Sequence, residues 1–423
     1  MWQAGYRLLL WLALPWILAR LWWRGWLESG YREQVGERFG FYGEAPAKPV
    51  IWLHAVSAGE TRAAEPLLRA LQSLHPECEM LLTQMTATGR QAAKQLFGDE
   101  IRVAWLPYDY PSTMRRFLLH FRPRLGILLE TEIWFNLVRE CARAGVPLVL
   151  ANARLSEKSA RGYAAVAPLA RAALGRLSAV AAQTDDDAER LRALGARAVT
   201  VTGNLKFDVE PSPGDEALAA RFRSWSGGRK VLLAASTREG EEELLLDALE
   251  ENSLGDALLV IVPRHPQRFD SVAQLLSARG RKFARRSADA AAESGWDIVL
   301  GDSMGEMAAY YGACDAAFVG GSLLAYGGQN LIEACAAGVP VLVGPHTYNF
   351  AQATESAIVA GAARRVDDAG DALRQARAIL QDQALRDRMG NAGIAFCAAH
   401  RGATERTLSI CEGLLASPVR AGG

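Results

Sequence analysis

The sequence predicts an α/β protein with two Rossmann-like, doubly wound domains that face a cleft, preceded by an N-terminal hydrophobic membrane anchor helix. Three observations predict this architecture. From residue 50 onward, short apolar runs alternate with longer helix-like stretches, which is typical of parallel sheets covered by helices. A segment rich in Pro, Gly and acid, Asp208–Asp215, divides this alternation, and a tryptophan-rich apolar stretch precedes it. We therefore expect an anchor over residues 1–30, a first domain over 31–208 and a second over 209–423, with C-terminal helices.

The composition excludes some classes of protein. Lys plus Arg and Asp plus Glu both number 47, and this balance argues against a nucleic-acid partner. The six cysteines form no CxxC pair, so we expect reduced, buried thiols. The six histidines show no metal-ligand spacing, so we predict neither a metal nor another cofactor. The composition leaves the oligomeric state open.

The apolar stretch at the N-terminus, residues 8–23, reads LLLWLALPWILARLWW. Its uncharged part, Leu8–Ala19, is shorter than the roughly 20 residues of a full bilayer span. Six tryptophans precede residue 27, and indole rings favour the headgroup level of a membrane. Arginines follow the stretch, which predicts a cytoplasmic location for the rest of the chain. A cleaved signal peptide fits less well because bulky residues stand where a cleavage site would be, and a buried core helix is the remaining alternative. Whether the stretch spans the bilayer or lies in its surface stays open.

Strand candidates define where functional residues are expected, because ligands bind at the carboxyl ends of parallel strands. The first set is Val50–His54, Met80–Thr83, Val103–Leu106, Leu125–Leu129, Pro147–Ala151 and Val180–Gln183. The second set is Val231–Ala235, Leu258–Val262, Asp297–Leu300, Ala316–Val319 and Pro340–Val343.

Four candidate residues of the first domain follow strands or lie at the linker. Glu60, in HAVSAGE, is either a first-turn carboxylate favourable to the helix dipole or a general base facing the cleft. Glu130 and Glu132 follow another strand and are either helix-capping groups or functional carboxylates. Lys206 lies beside the predicted hinge, where a cation is either solvated or could meet a phosphate.

The run Asp185–Asp187 matches the loose DxD pattern of metal-dependent sugar transferases. It follows Thr184 at the start of a helical pattern, so we interpret it as helix capping and predict no bound metal there.

In the second domain, Pro263 and Arg264 follow a strand, and a planar guanidinium is suited to phosphate. The segment Met304–Glu306 follows another strand and could line a base pocket. The Gly-rich segment Gly320–Asn330 joins a strand to a helix, where backbone and helix N-terminus could approach a phosphate. Glu333, on the first helical turn, could accept hydrogen bonds from ribose hydroxyls.

These motifs, taken together, resemble one family, the 3-deoxy-D-manno-octulosonic acid (Kdo) transferases of lipopolysaccharide synthesis. The matching stretches are HAVSAGE, ETEIWFN, TGNLKFD, PRHPQRF, DSMGEM, GGSLLAYGGQNLIEACAAGVPVLVGP and HTYNF, in the family's order over most of residues 50–350.

The resemblance implies a GT-B fold and an inverting transfer of Kdo from CMP-Kdo to lipid IVA, the tetraacylated precursor of lipid A. It implies that Glu60 is the general base and that Glu130 and Lys206 act around the transition state. It assigns acceptor binding to the first domain and CMP-Kdo binding to the second. It also implies that the enzyme sits on the cytoplasmic side of the inner membrane and needs no metal for its fold. The implied CMP-binding residues are Pro263, Arg264, Met304, Gly305, Glu306, Asn330, Leu331, Ile332 and Glu333.

The chain departs from the family's pattern at three positions. Gln329 and Leu331 stand where His and Pro are frequent, and Phe135 stands where Pro is common. Two other hypotheses are another GT-B enzyme of sugar nucleotides, such as a UDP-sugar transferase or an epimerase, and a non-catalytic, membrane-bound nucleotide-binding protein.

Overall fold

The computed structural model describes residues 2–210, 213–288 and 295–416. The chain forms two compact units, one of residues 1–209 with 401–423 and one of residues 210–400. Of the predicted linker, Pro211 and Ser212 lie outside the described residues.

The first unit contains a seven-stranded sheet in the order β3-β2-β1-β4-β5-β6-β7. All the strand pairs described in it are parallel. Its strands are β1 (Val50–His54), β2 (Glu79–Gln84), β3 (Arg102–Trp105), β4 (Pro123–Leu129), β5 (Leu148–Ala153), β6 (Ala179–Ala182) and β7 (Val199–Val201). Its first eight helices are α1 (Trp2–Leu27), α2 (Ala58–Leu74), α3 (Ala87–Phe97), α4 (Pro111–Phe121), α5 (Phe135–Arg143), α6 (Glu157–Ala165), α7 (Ala167–Leu174) and α8 (Asp185–Ala193).

The second unit contains a seven-stranded sheet in the order β10-β11-β9-β8-β12-β13-β14, again with parallel pairs among the described strands. Its strands are β8 (Val231–Thr237), β9 (Leu258–Pro263), β10 (Phe283–Arg285), β11 (Ile298–Leu300), β12 (Ala316–Val319), β13 (Val341–Val343) and β14 (Ala363–Arg365). Its helices are α9 (Pro213–Ser224), α10 (Glu241–Glu251), α11 (Phe269–Ala278), α12 (Met307–Ala313), α13 (Ile332–Ala336), α14 (Ala351–Val359), α15 (Ala369–Gln381) and α16 (Gln383–His400).

Both sheets bury apolar side chains on both faces, because successive side chains of a strand point to opposite faces. In β1, Val50 and Trp52 belong to one apolar core, whereas Ile51 and Leu53 belong to the core on the other side. The core of the second unit includes alternate residues of β8, Leu232 and Ala234.

Each sheet reverses its strand order at one point. In the first sheet the reversal falls between β1 and β4, and in the second between β8 and β12. A crevice forms where the connections leave a doubly wound sheet in opposite directions. The residues that follow β1, β4, β8 and β12 are therefore the ones positioned to meet a ligand.

The last helix, α17 (Ala403–Leu415), belongs to the first unit. Its buried residues Ala403 and Cys411 lie in the core beside α2. The Asp208 carboxylate accepts hydrogen bonds from the backbone N–H groups of Gly402 (2.8 Å) and Thr404 (2.6 Å) at the start of this helix. The predicted second domain, residues 209–423, is therefore corrected at its C-terminal end. The apolar stripe of α17 is covered by the first unit, and this partner is not visible in the local sequence pattern.

The predicted strands are all present, with ends that differ by up to two residues. Three strands were not predicted: β7, β10 and β14. Each has three residues and lies at an edge of its sheet. Edge strands are covered on fewer sides, so they need no continuous apolar run, and their sequence signal is weak.

Candidate active site

The site in the first unit is built by the loops that leave β1 and β4, the two strands at the reversal point. These strands are neighbours in register, with His54 opposite Leu128. Glu60 lies in the first turn of α2, and Glu130 directly follows β4. The fold therefore brings two of the predicted carboxylates to the same edge of the sheet.

Glu60 is held by a reciprocal pair of hydrogen bonds at the start of α2. The Ser57 hydroxyl accepts from the Glu60 backbone N–H (3.3 Å) and donates to Glu60 Oε1 (2.9 Å). The Val56 backbone N–H donates to Glu60 Oε2 (2.8 Å). This is a variant of the capping box: the Ser57 side chain caps the Glu60 backbone N–H, and the Glu60 carboxylate accepts from the N–H of Val56, the residue before the N-cap. The arrangement stabilises the helix and also fixes the direction of the carboxylate.

The environment of Glu60 favours its protonated form. Burial, followed by the charges of Glu130 and Glu132, raises the pKa of Glu60 to about 7, against the opposing effect of the hydrogen bonds from Val56 and Ser57. A carboxylate with a pKa near the working pH accepts a proton more readily than an ordinary surface glutamate. The arrangement can thus both receive and release a proton.

Glu130 forms an ion pair with Lys206, another of the predicted site residues. The Lys206 ammonium donates to Glu130 Oε1 at 2.9 Å, and both side chains are mostly buried. Glu130 has a φ of +57°, in the left-handed region that non-glycine residues rarely adopt. The structure therefore brings Glu60, Glu130 and Lys206 together, with the lysine charge adjacent to the carboxylates.

The position of Lys206 depends on a residue that the sequence did not single out. Asn152, at the carboxyl end of β5, accepts a hydrogen bond from the Leu205 backbone N–H through its side-chain oxygen (3.0 Å). Asn152 is buried and also has a positive φ, of +52°. Asn tolerates this conformation better than most residues. Asn152 therefore positions the turn that carries Lys206.

Glu132 lies close to the same carboxylates. Its Oε2 accepts a hydrogen bond from the Trp134 indole N–H at 2.7 Å. Burial raises the pKa of Glu132 despite that hydrogen bond. Its charge contributes to the raised pKa of Glu60. The side chain of Glu132 accepts from Trp134 and does not cap a helix.

The aspartate run Asp185–Asp187 forms the first turn of α8, and Thr184 caps this helix. The Thr184 hydroxyl accepts from the Asp187 backbone N–H (3.1 Å) and donates to the Asp187 carboxylate (2.8 Å). Asp187 also accepts from the Leu155 backbone N–H (2.8 Å). Among the described residues, one group of potential metal ligands converges within 4.8 Å, namely His75, Glu77 and Cys78. It precedes β2, at the amino end of that strand.

In the second unit, Arg264 follows β9 and Pro263 is the last residue of that strand. The Arg264 backbone N–H donates to the Thr237 carbonyl (2.9 Å), and its Nε donates to the Gln329 side-chain oxygen (3.2 Å). Gln329 is one of the departures from the family's pattern. The fold thus connects a predicted phosphate-binding arginine to the Gly-rich loop through the side chain of Gln329.

The first part of the Gly-rich loop binds an internal carboxylate. The backbone N–H groups of Gly321, Ser322 and Leu323 donate to Glu241 at 2.5, 2.9 and 2.9 Å. Glu241 is fully buried and also accepts from the Arg238 backbone N–H (2.8 Å). These three loop N–H groups are therefore already satisfied, and the phosphate approach expected along the whole loop is limited to its later residues.

The loop lies directly against the end of β8. A Cβ added at Gly320 would lie 2.6 Å from the Thr237 Cα, so only glycine fits there. Gly327 and Gly328 have φ values of +91° and +78°, which glycine adopts without strain. The glycines of the motif therefore serve both close packing and the turn, in addition to any role toward a ligand.

At the end of the loop, residues 330 and 333 are partly exposed, whereas residues 331 and 332 are buried. The Asn330 side chain accepts from the Ile332 backbone N–H (3.1 Å) and donates to Glu333 Oε1 (2.8 Å). Leu331 and Ile332 are buried, at 0% and 1% exposed. The side chains of these two predicted binding residues therefore lie in the hydrophobic core, and only their backbone groups could contact a ligand. Of the four predicted residues in this stretch, Asn330 and Glu333 are the ones with accessible polar groups.

The segment Met304–Glu306 forms the loop before α12, with Gly305 at a φ of +89°. Met304 is 37% exposed. Glu306 forms a two-pronged ion pair with Arg286, whose Nη2 and Nε lie 2.9 and 3.2 Å from its carboxylate oxygens. Arg286 was not predicted because it follows the edge strand β10, which the sequence did not indicate. Glu241 was not predicted either, because it is one of three consecutive glutamates in the first turn of α10.

A protein with two doubly wound units, carboxylates at one reversal point and an arginine beside a Gly-rich loop at the other, is a GT-B-type glycosyltransferase by fold. Two family models match the chain. Residues 33–209 match "3-Deoxy-D-manno-octulosonic-acid transferase (kdotransferase)", and residues 241–396 match "Glycosyl transferases group 1".

The chain is 48% identical to a 3-deoxy-D-manno-octulosonic acid transferase of Bordetella pertussis, over 89% of this chain and 90% of the relative. It is 37% identical to one of Haemophilus influenzae, over 97% and 98%. The chain therefore belongs to the 3-deoxy-D-manno-octulosonic acid transferase family, and the resemblance found in its motifs is confirmed.

Solved structures confirm the fold class. A glycosyltransferase from Rickettsia africae has a TM-score of 0.60 at 13% identity, covering 88% of this chain and 100% of that one. A UDP-GlcNAc 2-epimerase from Neisseria meningitidis bound to UDP-GlcNAc has a TM-score of 0.60 at 16% identity, covering 86% and 100%. At these identities the likeness concerns the fold alone.

Proposed function

We propose that this enzyme transfers Kdo with inversion from CMP-Kdo to lipid IVA, at the cytoplasmic face of the inner membrane, with Glu60 as the general base. A sugar hydroxyl of the acceptor attacks the anomeric carbon of Kdo from the side opposite the phosphate. A carbon–oxygen bond forms as the bond to the phosphate oxygen breaks, and the electron pair leaves with CMP. The hydroxyl proton passes to the Glu60 carboxylate.

The observation that carries this proposal is the placement of Glu60 at the reversal point of the first sheet. Its carboxylate is fixed by Ser57 and Val56, and burial with neighbouring negative charge gives it a pKa of about 7. A hydroxyl nucleophile needs a base that is ionised at the working pH yet basic enough to take a proton. Glu60 fits this requirement better than an ordinary carboxylate.

Glu130 and Lys206 support the base in this proposal. The Lys206 ammonium holds the Glu130 carboxylate at 2.9 Å, and the charge of Glu130 raises the pKa of Glu60. Lys206 also offers positive charge beside the carboxylates. We assign to it the stabilisation of negative charge in the transition state.

We assign donor binding to the second unit. Arg264 is oriented by the Gln329 side chain and can meet the CMP phosphate with its planar group. Asn330, Glu333 and the Met304–Glu306 loop supply polar groups for the nucleoside, with backbone contributions from Leu331 and Ile332. The proposal requires no metal, since arginine and lysine provide the positive charge that a departing phosphate needs.

The membrane location is supported by one helix. Trp2–Trp26 is long and apolar enough, by length and composition, to cross a membrane. An acylated acceptor such as lipid IVA is itself held in a bilayer, so an enzyme attached to that surface meets its substrate there.

The test is mass spectrometry of lipid IVA after incubation with the purified protein and CMP-Kdo. We expect the acceptor to gain the mass of one or more Kdo residues, and the number of additions is read directly. Parallel reactions with UDP-GlcNAc separate this function from that of a UDP-sugar enzyme. Modification with UDP-GlcNAc but not with CMP-Kdo would reject the proposal, as would binding of CMP without transfer from CMP-Kdo.

A further inference from the structure

Helix α1 is less exposed on one face than on the other, and it contacts α7 and residues 29–32 of the first unit. The less exposed residues recur every three or four positions, which places them on one face of the helix. They are Gln3, Tyr6, Arg7, Leu10, Ala13, Leu14, Ile17, Leu21, Arg24 and Gly25. A helix that leaves its domain to enter a bilayer would have such partly buried residues at one end only.

The first turns of α1 are attached by specific contacts. The Tyr6 hydroxyl donates to the buried Asp109 carboxylate at 2.8 Å, and its ring packs edge-on against Phe135 with centroids 5.2 Å apart. Tyr110 donates through its hydroxyl to the Leu10 carbonyl (2.5 Å), and its ring lies 5.0 Å from that of Trp11. The beginning of the helix is therefore bound to the residues that precede α4.

The last turn of α1 is attached to the same unit. Arg24 lies with its guanidinium 5.4 Å from the Tyr31 ring and donates to the Tyr31 hydroxyl at 3.4 Å. Tyr31 is buried and stacks on Trp105, the last residue of β3, at 6.3 Å. Both ends of the helix are thus fixed to one folded unit.

These two attachments conflict with a transmembrane orientation. From Tyr6 to Arg24 the helix rises roughly 27 Å, close to the roughly 30 Å of a bilayer's hydrocarbon core. A helix that crossed the bilayer would draw Asp109 to one side of the membrane while Trp105 stayed at the other. The loop between them would then lie in hydrocarbon, where unsatisfied polar groups are costly.

The opposite face of α1 is apolar and exposed. Its large side chains are Leu8, Leu9, Trp11, Leu12, Trp16, Leu18, Trp22, Trp23 and Trp26, each between 41% and 76% exposed. Arginines lie beside this face. Arg20 is 5.4 Å from the Trp16 ring, and Arg32 is 4.7 Å from the Trp22 ring. Tryptophan with neighbouring arginine is suited to the boundary between lipid headgroups and acyl chains.

We propose that α1 lies in the plane of the membrane surface, with its tryptophan-rich face in the headgroup boundary of an anionic bilayer, and does not cross the membrane. The inference rests on the membrane location in the proposed function, but it is independent of the transfer chemistry. It places both ends of α1 on the same side of the membrane as the active site. The sequence left this choice open because both faces of α1 are largely apolar.

Depth measurements test the orientation. Leu12→Cys and Trp23→Cys, both on the exposed face, are labelled separately with the fluorophore NBD, and Val359→Cys, outside α1, is the control. The variants are bound to phosphatidylethanolamine–phosphatidylglycerol vesicles carrying quenchers at known depths. We expect both α1 labels at one shallow depth and no quenching of the control. Leu12 near the midplane with Trp23 at the surface would overturn the proposal.

A second measurement does not depend on labelling within the helix. An epitope tag on the N-terminus of the full chain is probed in sealed inner-membrane vesicles of both orientations, together with a tag on the C-terminus. We expect protease to remove both tags from the same side. Removal from opposite sides would overturn the proposal. So would α1 labels that lipid never quenches but that become protected as a second copy of the chain binds. Kdo transfer is not a readout in either experiment, so a failure here is distinct from a failure of the proposed chemistry.

Discussion

Glu130 Oε1 accepts a hydrogen bond from the Lys206 ammonium at 2.9 Å, and the same carboxylate raises the pKa of Glu60. The lysine therefore acts on the proposed base indirectly, by holding the neighbouring carboxylate in place. This arrangement gives the proposed chemistry specific consequences for activity, pH dependence and stability.

Replacing the base should abolish transfer without unfolding the protein. For Glu60→Gln we expect kcat/KM to fall by about 10²- to 10⁴-fold, the usual contribution of a general base. Ser57 can still cap the backbone N–H of residue 60, and the glutamine oxygen can accept one of the two side-chain hydrogen bonds, so the helix start survives. Transfer is measured by release of CMP, and donor binding by thermal shift with CMP. Glu157→Gln, in the first turn of α6 after the capping Ser156, is the matched control and should be fully active. Undiminished activity in Glu60→Gln would remove Glu60 from the mechanism.

The pH profile should report the ionisation of Glu60. Because the base must be deprotonated, kcat/KM should rise with pH and level off above the pKa of about 7. In Glu130→Gln one nearby negative charge is lost, so the pKa of Glu60 falls and the rising limb moves to lower pH. The profile is measured from about pH 5 to 9, where protein stability is checked in parallel. An unmoved limb would show that Glu130 does not set the basicity of Glu60.

The same pKa has a consequence for stability. A carboxyl group with a raised folded-state pKa stabilises the fold while it is protonated, and that contribution is lost as pH rises through the folded-state pKa of about 7. Above pH 7, wild type therefore carries a buried charge that Glu60→Gln lacks. We expect the variant to be more stable there by on the order of 2 kcal/mol, with the difference shrinking toward pH 5. Urea unfolding of both proteins, near pH 5 and above pH 7, measures this difference in the free energy of unfolding. A pH-independent difference would contradict the raised pKa.

The turn that carries Lys206 should depend on Asn152. Asn152→Ala removes the acceptor for the Leu205 N–H and places alanine at a positive φ, so we expect a loss of about 1 to 3 kcal/mol. Asn152→Gly relieves the backbone but not the missing hydrogen bond, while Asn152→Asp keeps an acceptor. If Asn152 positions Lys206, kcat should recover with Asp and not with Gly, whereas stability should recover in part with both. Equal recovery of kcat by both would leave Asn152 with a purely structural role.

The Gly-rich loop should lose its ordered conformation when the buried Glu241 carboxylate is removed. In Glu241→Gln the three N–H groups of residues 321–323 face a neutral amide, and the charge-assisted hydrogen bonds are lost. We expect about 2 to 4 kcal/mol of destabilisation of the second unit and weaker binding of CMP. Glu243→Gln, an exposed residue in the same first turn of α10, has the same effect on the helix dipole and serves as control. It should behave as wild type. Identical stability of both variants would show that the loop does not need Glu241.

The local sequence was sufficient for the elements with strong patterns. The buried strands β1, β4, β8 and β12 are continuous apolar runs, and the capping of α8 by Thr184 follows from residue types three positions apart. The motifs also placed Glu60 and Glu130 after strands, so their meeting at one edge followed from parallel topology. Both predictions use information contained within a few neighbouring residues.

The alternation of strands and helices, the family and the candidate residues can all be recognised in the amino-acid pattern. The packing of the folded chain decided which of those residues touch. Lys206 and Glu130 are 76 positions apart, and Glu241 reaches loop N–H groups 80 to 82 positions away. It also decided that α17 packs on the first unit and that α1 is attached at both ends. Local periodicity records which side of an element is apolar, whereas the identity of the partner depends on how distant segments pack.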